Sequence, residues 1–339
     1  MKSILFLLII ISSSFSFPNE NSAIVLMYHR FGQPEHPSTN IDKELFKRQM
    51  YYLKEKKFNV IPLSQLIDIF ENNKPMPKKV VIITIDDGFK SMYTNAFSIL
   101  KELKFPFSVF ISSKFVSDSI KSDFMSWDML KELINNKGEI FNHSHDHQSL
   151  LNLSKEHARN SIEKTQNELK KNLGVNSMIF SYPYGEYSIK KKELIREMGF
   201  KLAFSQDSGP INAMHDKFSL QRFPINNRFG SIERFKEIVE TKSLVPLSFT
   251  PVHRKISSNK VDISFSTNFR PENINCFSNN DSQLTKRSED KFVQIQLSKL
   301  DSGKNYRLNC TLIKKKNGVK EIYWFGTSFF VRPSTRDQK

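Results

Sequence analysis

Between residues 23 and 241 short apolar runs alternate with longer segments patterned at helical spacing. The apolar runs "AIVLMYH" (23–29), "KVVIITIDDG" (79–88), "FSVFIS" (107–112), "GEIFNHS" (138–144), "SMIFSYPYG" (177–185), "KLAFSQ" (201–206) and "SLQRFPI" (219–225) are of strand length. Amphipathic stretches at 42–57, 63–73, 93–104, 126–136, 154–174, 188–198 and 231–241 separate or follow them. A strand apolar on both faces must be covered on both faces. Strict strand–helix alternation therefore implies a parallel sheet with helices outside it. In such folds ligand sites gather beyond the carboxyl ends of the strands. Here those ends carry Tyr28-His29, Asp86-Asp87, His143 to His147, Tyr184-Gly185, Gln206-Asp207 and Arg222. Polar residues or glycine at six ends suggest one shared mouth.

The pattern changes near Leu244. The segments at 260–268, 291–298, 306–314 and 322–332 alternate or are aromatic, and "KNGVK" (316–320) has the Asn-Gly signal of a hairpin. A small all-β, sandwich-like domain is expected over 244–335, holding the two cysteines, Cys276 and Cys310, as a disulfide if the protein reaches an oxidising compartment. Tyr323, Trp324 and Phe325 read as core residues of that domain rather than as a sugar platform. The N-terminus points to export. Lys2, the apolar run Ile4 to Ile11 and the small residues around Ser16 read as a signal peptide over 1–16. The net charge of +16 favours anionic partners such as cell-wall polymer, acidic polysaccharide or a membrane surface. Its scattered lysines do not make a nucleic-acid module, and no nucleic-acid partner is expected.

Three constellations carry chemistry. "HSHDH" offers His143, His145 and His147, which leaves several ligand pairs open for a metal. One alternative is the metallo-β-lactamase type of binuclear hydrolase, whose His-x-His-x-Asp-His signature this run misses by one residue. "TIDDG" (84–88) places two carboxylates at the end of a buried strand, a costly arrangement unless a metal or a proton transfer uses them. One carboxylate could bind a metal while the other accepts a proton from water. "FSYPYGEYS" (180–188) sets Pro183 and Gly185 around Tyr184, which can aim the Tyr184 amide at a developing oxyanion.

Together, in this order, the pieces resemble the polysaccharide deacetylases of carbohydrate esterase family 4, the NodB-homology family, over about residues 23–242. "TIDDG" is similar to the family's Thr-Phe-Asp-Asp-Gly, His143-Ser144 and His147 to its His-Ser/Thr-x-x-His, and "SYPYG" to its Arg-x-Pro-Tyr-Gly except at the first position. The opening Tyr-His strand is similar to that of circularly permuted members, including biofilm poly-N-acetylglucosamine deacetylases. The resemblance implies an α/β fold, a distorted seven-stranded (β/α) barrel, and an amide hydrolysis that depends on one divalent metal ion. That metal would be zinc, with cobalt or nickel as alternatives, held by Asp87, His143 and His147. Asp86 would be the general base, and the Tyr184 amide would stabilise the oxyanion. Ser144 would hydrogen-bond within the histidine loop, and His145 would be a bystander.

Three departures stand out. The family arginine that orients the catalytic aspartate is Ser181 here, and Arg222 in "LQRFP" is the candidate replacement. "FSQDSGPIN" (204–212) stands where the family has a tryptophan motif. No late Leu-x-His supplies a general acid; His215 and His253 are poorly placed, and His29 is the better candidate. The expected function is an exported N-deacetylase acting on an N-acetylated glycan or glycolipid. Periplasmic or extracellular location and association with the cell envelope are expected. A catalytically weak or inactive glycan-binding protein of the same fold is the alternative, motivated by the missing arginine and the displaced acid.

Overall fold

The computed structural model describes residues 21–116 and 122–332. The expected signal peptide and the last residues of the expected β domain lie outside that range. Among the described residues no helix is long and apolar enough to cross a membrane.

Seven parallel strands form the main path of one curled sheet. They are β1 (Ala23–Tyr28), β2 (Val80–Ile85), β3 (Phe107–Ile111), β4 (Gly138–Asn142), β5 (Ile179–Ser181), β6 (Leu202–Phe204) and β7 (Phe223–Pro224), in the order β7-β1-β2-β3-β4-β5-β6. The two-residue strand Asn59–Val60 pairs with the start of β2. Residues 217–222 cross the gap between β6 and β7: Phe204 bridges Leu220, and the Arg222 amide donates to the Asp207 carbonyl at 2.8 Å. The curled seven-stranded sheet anticipated from the alternation is present. The last apolar run supplies only two strand residues, because Gln221 and Arg222 turn their side chains to other partners.

All six residues of β1 and all six of β2 are buried, as a sheet covered on both faces requires. Their alternation feeds two cores. Ile24, Leu26 and Tyr28 of β1, with Val81, Ile83 and Ile85 of β2, pack among the helices α1 (Lys43–Glu55), α3 (Phe97–Leu103), α4 (Trp127–Ile134) and α7 (Ile232–Val239). Ala23 and Val25, with Val80 and Ile82, face the other side, where Leu66 and Ile69 of α2 (Gln65–Glu71) join them. Each such buried aliphatic side chain stabilises the fold by roughly 1.5–3 kcal/mol relative to exposure. The longest helix, α5 (Lys155–Leu173), has local start and stop signals. The Ser154 side chain accepts from the His157 amide, and Gly174 ends the helix at φ 69°. Its buried residues Ala158, Ile162, Thr165 and Leu169 form one stripe. The helix α6 (Ile189–Glu197) follows β5.

The β-rich part contains β8 (Ser248–Thr250), β9 (Lys260–Ser266), β10 (Ile274–Ser278), β11 (Gln283–Glu289), β12 (Phe292–Ser298), β13 (Asn305–Lys316) and β14 (Val319–Val331). One sheet runs β8-β9-β12-β11, and the other runs Lys242–Ser243, β14, β13, β10, with Lys255–Ile256 also on β14. Three of these strands, β8, β10 and β11, were not marked by the sequence pattern. β11 reads "QLTKRSE", with one partly buried apolar residue, so its hydrophobic signal is weak. Cys276 of β10 and Cys310 of β13 are opposite one another and joined by a disulfide. Phe325 is buried, and Tyr323 and Trp324 are partly buried against core clusters, so this aromatic triplet is packing.

The two parts of the chain share cores. Trp324 packs edge-on against Phe223 at 5.5 Å between ring centroids. Phe330 belongs to the cluster of Phe180, Tyr182 and Tyr187. Arg332 pairs with the buried Glu186 at 2.6 Å.

Candidate active site

Strand alternation decides which polar residues point to the concave side. His29 continues the Ala23, Val25, Met27 face of β1, and Asp86 continues the Val80, Ile82, Thr84 face of β2. His143 continues the Phe141 face of β4, and Ser181 shares the Ile179 face of β5. These side chains meet where the strands end.

Asp86 is fully buried, as is Arg222. The guanidinium clamps the carboxylate with Nη1 to Oδ1 at 2.7 Å and Nη2 to Oδ2 at 2.8 Å. Its other donors reach Ser181 Oγ (2.9 Å), Thr84 Oγ1 (3.2 Å) and the Ser205 carbonyl (3.1 Å). All five N–H donors of a buried arginine are thereby used, and its face lies 5.4 Å from the Phe110 ring centroid. The short Ser181 side chain leaves this space to the Arg222 guanidinium, which enters from just before β7. Burial pushes the Asp86 carboxyl up, but Arg222, His143 and His29 outweigh it and hold the pKa below the ordinary value.

Asp87 and Gly88 both have positive φ, 72° and 76°, so the chain turns sharply after Asp86. That turn brings Asp87 Oδ1 to 3.5 Å from His143 Nε2 and 3.1 Å from His147 Nε2. The histidine loop is shaped similarly, with Ser144 at φ 64° and His147 at φ 53°. The Ser144 amide donates to Asn142 Oδ1 at 2.9 Å, and the loop folds until the His143 and His147 ring centroids are 4.8 Å apart. The Ser144 hydroxyl itself is buried with no hydrogen-bond partner among the described residues, so the bond this serine makes here is through its backbone amide. His145 is turned elsewhere. Its Nδ1 lies 2.9 Å from Ser113 Oγ and 3.8 Å from Glu168.

The donor set fits a cation. His143 Nδ1 donates to the Ser181 carbonyl at 2.7 Å, so in the neutral ring, the form a metal takes, the lone pair lies on Nε2, which faces the Asp87 carboxylate. His143 Nε2 and Asp87 Oδ1 are buried atoms with no hydrogen-bond partner among the described residues. One ligand atom each from Asp87, His143 and His147 lie within 4.8 Å of one another. Burial raises the Asp87 pKa, yet the surrounding histidines bring it well below the ordinary value. Burial lowers the His143 pKa, and Asp87, Asp86 and the Ser181 carbonyl more than reverse that. Facing acceptors that both call for positive charge suit a metal with imidazole and carboxylate ligands.

Asp87, His147 and Tyr184 stand between two lobes of an open cleft. The larger, about 600 Å³, is also lined by His29, Gln206, Arg228 and Arg307. The smaller, about 260 Å³, is lined by Arg30, Phe89, Phe115 and Phe124. Phe124 stacks on Phe89 and on Phe115, each at 4.9 Å between centroids. Tyr184 has φ 60°, and its ring packs on His147 at 4.6 Å. Gly185 follows at φ 69°, where a Cβ would land on the Gln206 backbone nitrogen. Burial lowers the His29 pKa, an effect partly offset by Asp87 and Asp86. Asp207, a strand-end residue in the sequence, is buried and bonded to Ser205 (3.1 Å) and Tyr187 (3.3 Å) instead of lining the cleft. Thr84 stood in the TIDDG motif with no role assigned to it, and Arg307, which sits in the β-rich part, had no signal in the sequence.

The polysaccharide deacetylase family model matches residues 73–203. A poly-beta-1,6-N-acetyl-D-glucosamine N-deacetylase of Staphylococcus epidermidis is 25% identical over 233 residues, covering 61% of this chain and 80% of the relative. The enzyme of the same description from Staphylococcus aureus is 26% identical over 236 residues, covering 61% of this chain and 80% of the relative. Among solved structures, the Streptococcus pyogenes deacetylase PplD in complex with acetate superposes with a TM-score of 0.60 at 22% identity, covering 65% of this chain and 98% of that one. IcaB from Ammonifex degensii gives a TM-score of 0.57 at 24% identity, covering 65% and 97%. These neighbours share the fold of the curled sheet and its helices. The matched segment contains Asp86, Asp87, His143, His147, Ser181 and Tyr184. Residues 73–203 thus carry a polysaccharide deacetylase domain, and the curated relatives that match the chain are described as carbohydrate N-deacetylases.

Proposed function

We propose that the protein is an exported, metal-dependent N-deacetylase that hydrolyses the acetamide of an N-acetylated sugar in a polysaccharide, peptidoglycan or glycolipid. The observation that carries this reading is the pairing of two unlike carboxylates at one strand end. Asp86 is clamped by Arg222, while Asp87 lies among His143 and His147. A glycan-binding protein has no need of a buried, oriented, ionised carboxylate beside a ligand triad.

Asp87, His143 and His147 would hold one divalent ion, zinc being the natural choice for one carboxylate and two imidazoles. When bound, that ion polarises the acetamide carbonyl and acidifies the attacking water. Asp86 takes the proton from that water. Its lowered pKa keeps it ionised, and the bidentate clamp fixes its direction. The Tyr184 amide, held in the left-handed turn next to Gly185, supplies an oxyanion donor. His29, on the wall of the same cleft, protonates the departing nitrogen. Its lowered pKa makes its imidazolium a stronger acid toward that nitrogen. The stacked Phe89, Phe124 and Phe115 offer an apolar surface to a sugar face.

The test is acetate release from chitooligosaccharides, peptidoglycan, poly-N-acetylglucosamine and lipopolysaccharide precursors, each with zinc, cobalt or nickel. Release by wild type and loss of about 100-fold or more in Asp86→Asn supports the reading. Loss in His29→Ala with unchanged metal content supports the acid. The same acetate background from wild type and Asp86→Asn on every substrate would favour the glycan-binding alternative.

A further inference from the structure

The larger lobe of the cleft takes one of its cations from the β-rich part of the molecule. Arg307, on β13, lines the lobe with His29, Tyr184, Gln206 and Arg228. We infer that this lobe is a subsite for an anionic group, a carboxylate or a phosphate, borne on or next to the sugar whose acetamide is hydrolysed; this rests on the deacetylase reading.

Three observations support it. First, the guanidinium groups of Arg307 and Arg228 make no hydrogen bond or ion pair among the described residues. Arg307 is partly buried, so its charge has lost some water without gaining a bonded partner. Asp207 acts on its charge from a distance, but that carboxyl is buried and bonded to Ser205 and Tyr187. Second, among the described residues Asp87 is the one carboxylate lining the lobe, and it is engaged with the two histidines. The lobe therefore carries unneutralised positive charge. Third, Arg307 is presented on a fixed strand. Its amide donates to Asn279 Oδ1 at 2.6 Å, it is paired across β14 with Ser328, and the disulfide at Cys310 ties β13 to β10 nearby. A planar guanidinium carried on a fixed strand at a cleft wall matches a carboxylate or phosphate in a bidentate fork. It gives a neutral glycan fewer bonds and repels the amine that deacetylation leaves behind.

The experiment uses the full metal-loaded chain and length-matched oligosaccharides of three kinds. One is neutral N-acetylglucosamine, one carries the lactyl carboxylate of N-acetylmuramic acid, and one carries a phosphodiester. The expected result is a kcat/KM at least about tenfold higher for one or both anionic substrates, as a charge-assisted bidentate contact provides. Arg307→Gln then lowers the anionic-to-neutral ratio about tenfold, chiefly through KM, while Arg307→Lys keeps part of it. Calorimetric binding of the same oligosaccharides to Asp86→Asn protein should show the same order of affinity, weakening with salt. A wild-type ratio at or below one with acetate still released overturns the subsite and leaves the deacetylase standing. A ratio unchanged in Arg307→Gln, with Arg307→Gln shown to be folded by thermal unfolding, overturns it as well. Acetate from none of the three overturns both readings.

Discussion

Arg222 is the residue on which the buried chemistry depends. Replacing it by alanine leaves the Asp86 charge buried and unpaired, an effect of about 3–5 kcal/mol on stability measurable by urea unfolding. Lysine is no substitute, because three donors on a point charge cannot reproduce the five-bond network. The pH sign follows from the lowered Asp86 pKa. In the folded chain this carboxyl holds its proton less tightly than in the unfolded chain. It therefore contributes stability that is fully present above the unfolded pKa of about 4 and is lost as pH falls through the folded value. In metal-free Arg222→Met, burial acts on Asp86 with less opposition, and the loss on the acid side moves to higher pH in the unfolding midpoints. At the histidine loop, His145→Ala should keep about one metal per chain by elemental analysis, while His143→Ala and His147→Ala lose it. The positions that converge here were legible in the sequence because strand ends expose their last polar residues on a face set by alternation. Asp86 and His143 follow that rule, whereas Asp87 and His147 are brought in by the turns that come after them and were legible through the Asp-Asp-Gly and histidine motifs. Arg222 was legible as a polar strand end and, through the resemblance, as the candidate replacement for the arginine that orients the catalytic aspartate; its clamp on Asp86 depends on the curvature that brings the two strand ends together. Arg307 was not legible at all, because only packing between the two parts of the chain brings it to the cleft.

At the scale of elements, turns rather than strands set the site. Asp87-Gly88, the Ser144–His147 loop and Tyr184-Gly185 all use left-handed backbone to redirect side chains within a residue or two of a strand end. Gly185→Ala adds a Cβ at φ 69° against the Gln206 backbone. It should destabilise the protein by about 1–3 kcal/mol in denaturant titration and lower kcat more than it raises KM, since it moves the Tyr184 amide. The helices and buried strands of the parallel sheet were readable from period and caps, as at Ser154 and Gly174 around α5. The β-rich part was less so. Strands such as β11 lie at a sheet edge with mostly exposed side chains, so pairing with β12, rather than any apolar alternation of their own, makes them strands.

For the whole molecule, the β-rich part is built into the catalytic half. Trp324 covers Phe223, Phe330 fills the cluster under Tyr182 and Tyr187, and Arg332 neutralises the buried Glu186. A chain ending after Ser243 should therefore lose cooperative thermal unfolding and expose hydrophobic surface to a dye such as ANS; an unaltered transition would show the two parts to be independent. The net charge of +16 belongs to this scale too, favouring anionic over neutral surfaces as partners. In the proposed reaction a metal held by Asp87, His143 and His147 works with the clamped Asp86 to hydrolyse an acetamide. The most direct measurement is acetate release from the best substrate of the panel as metal-stripped protein is titrated with zinc. Release should rise and level off at about one equivalent per chain, with Asp86→Asn at equal metal content lower by about 100-fold or more. Release that is independent of metal, or equal in wild type and Asp86→Asn, would contradict it.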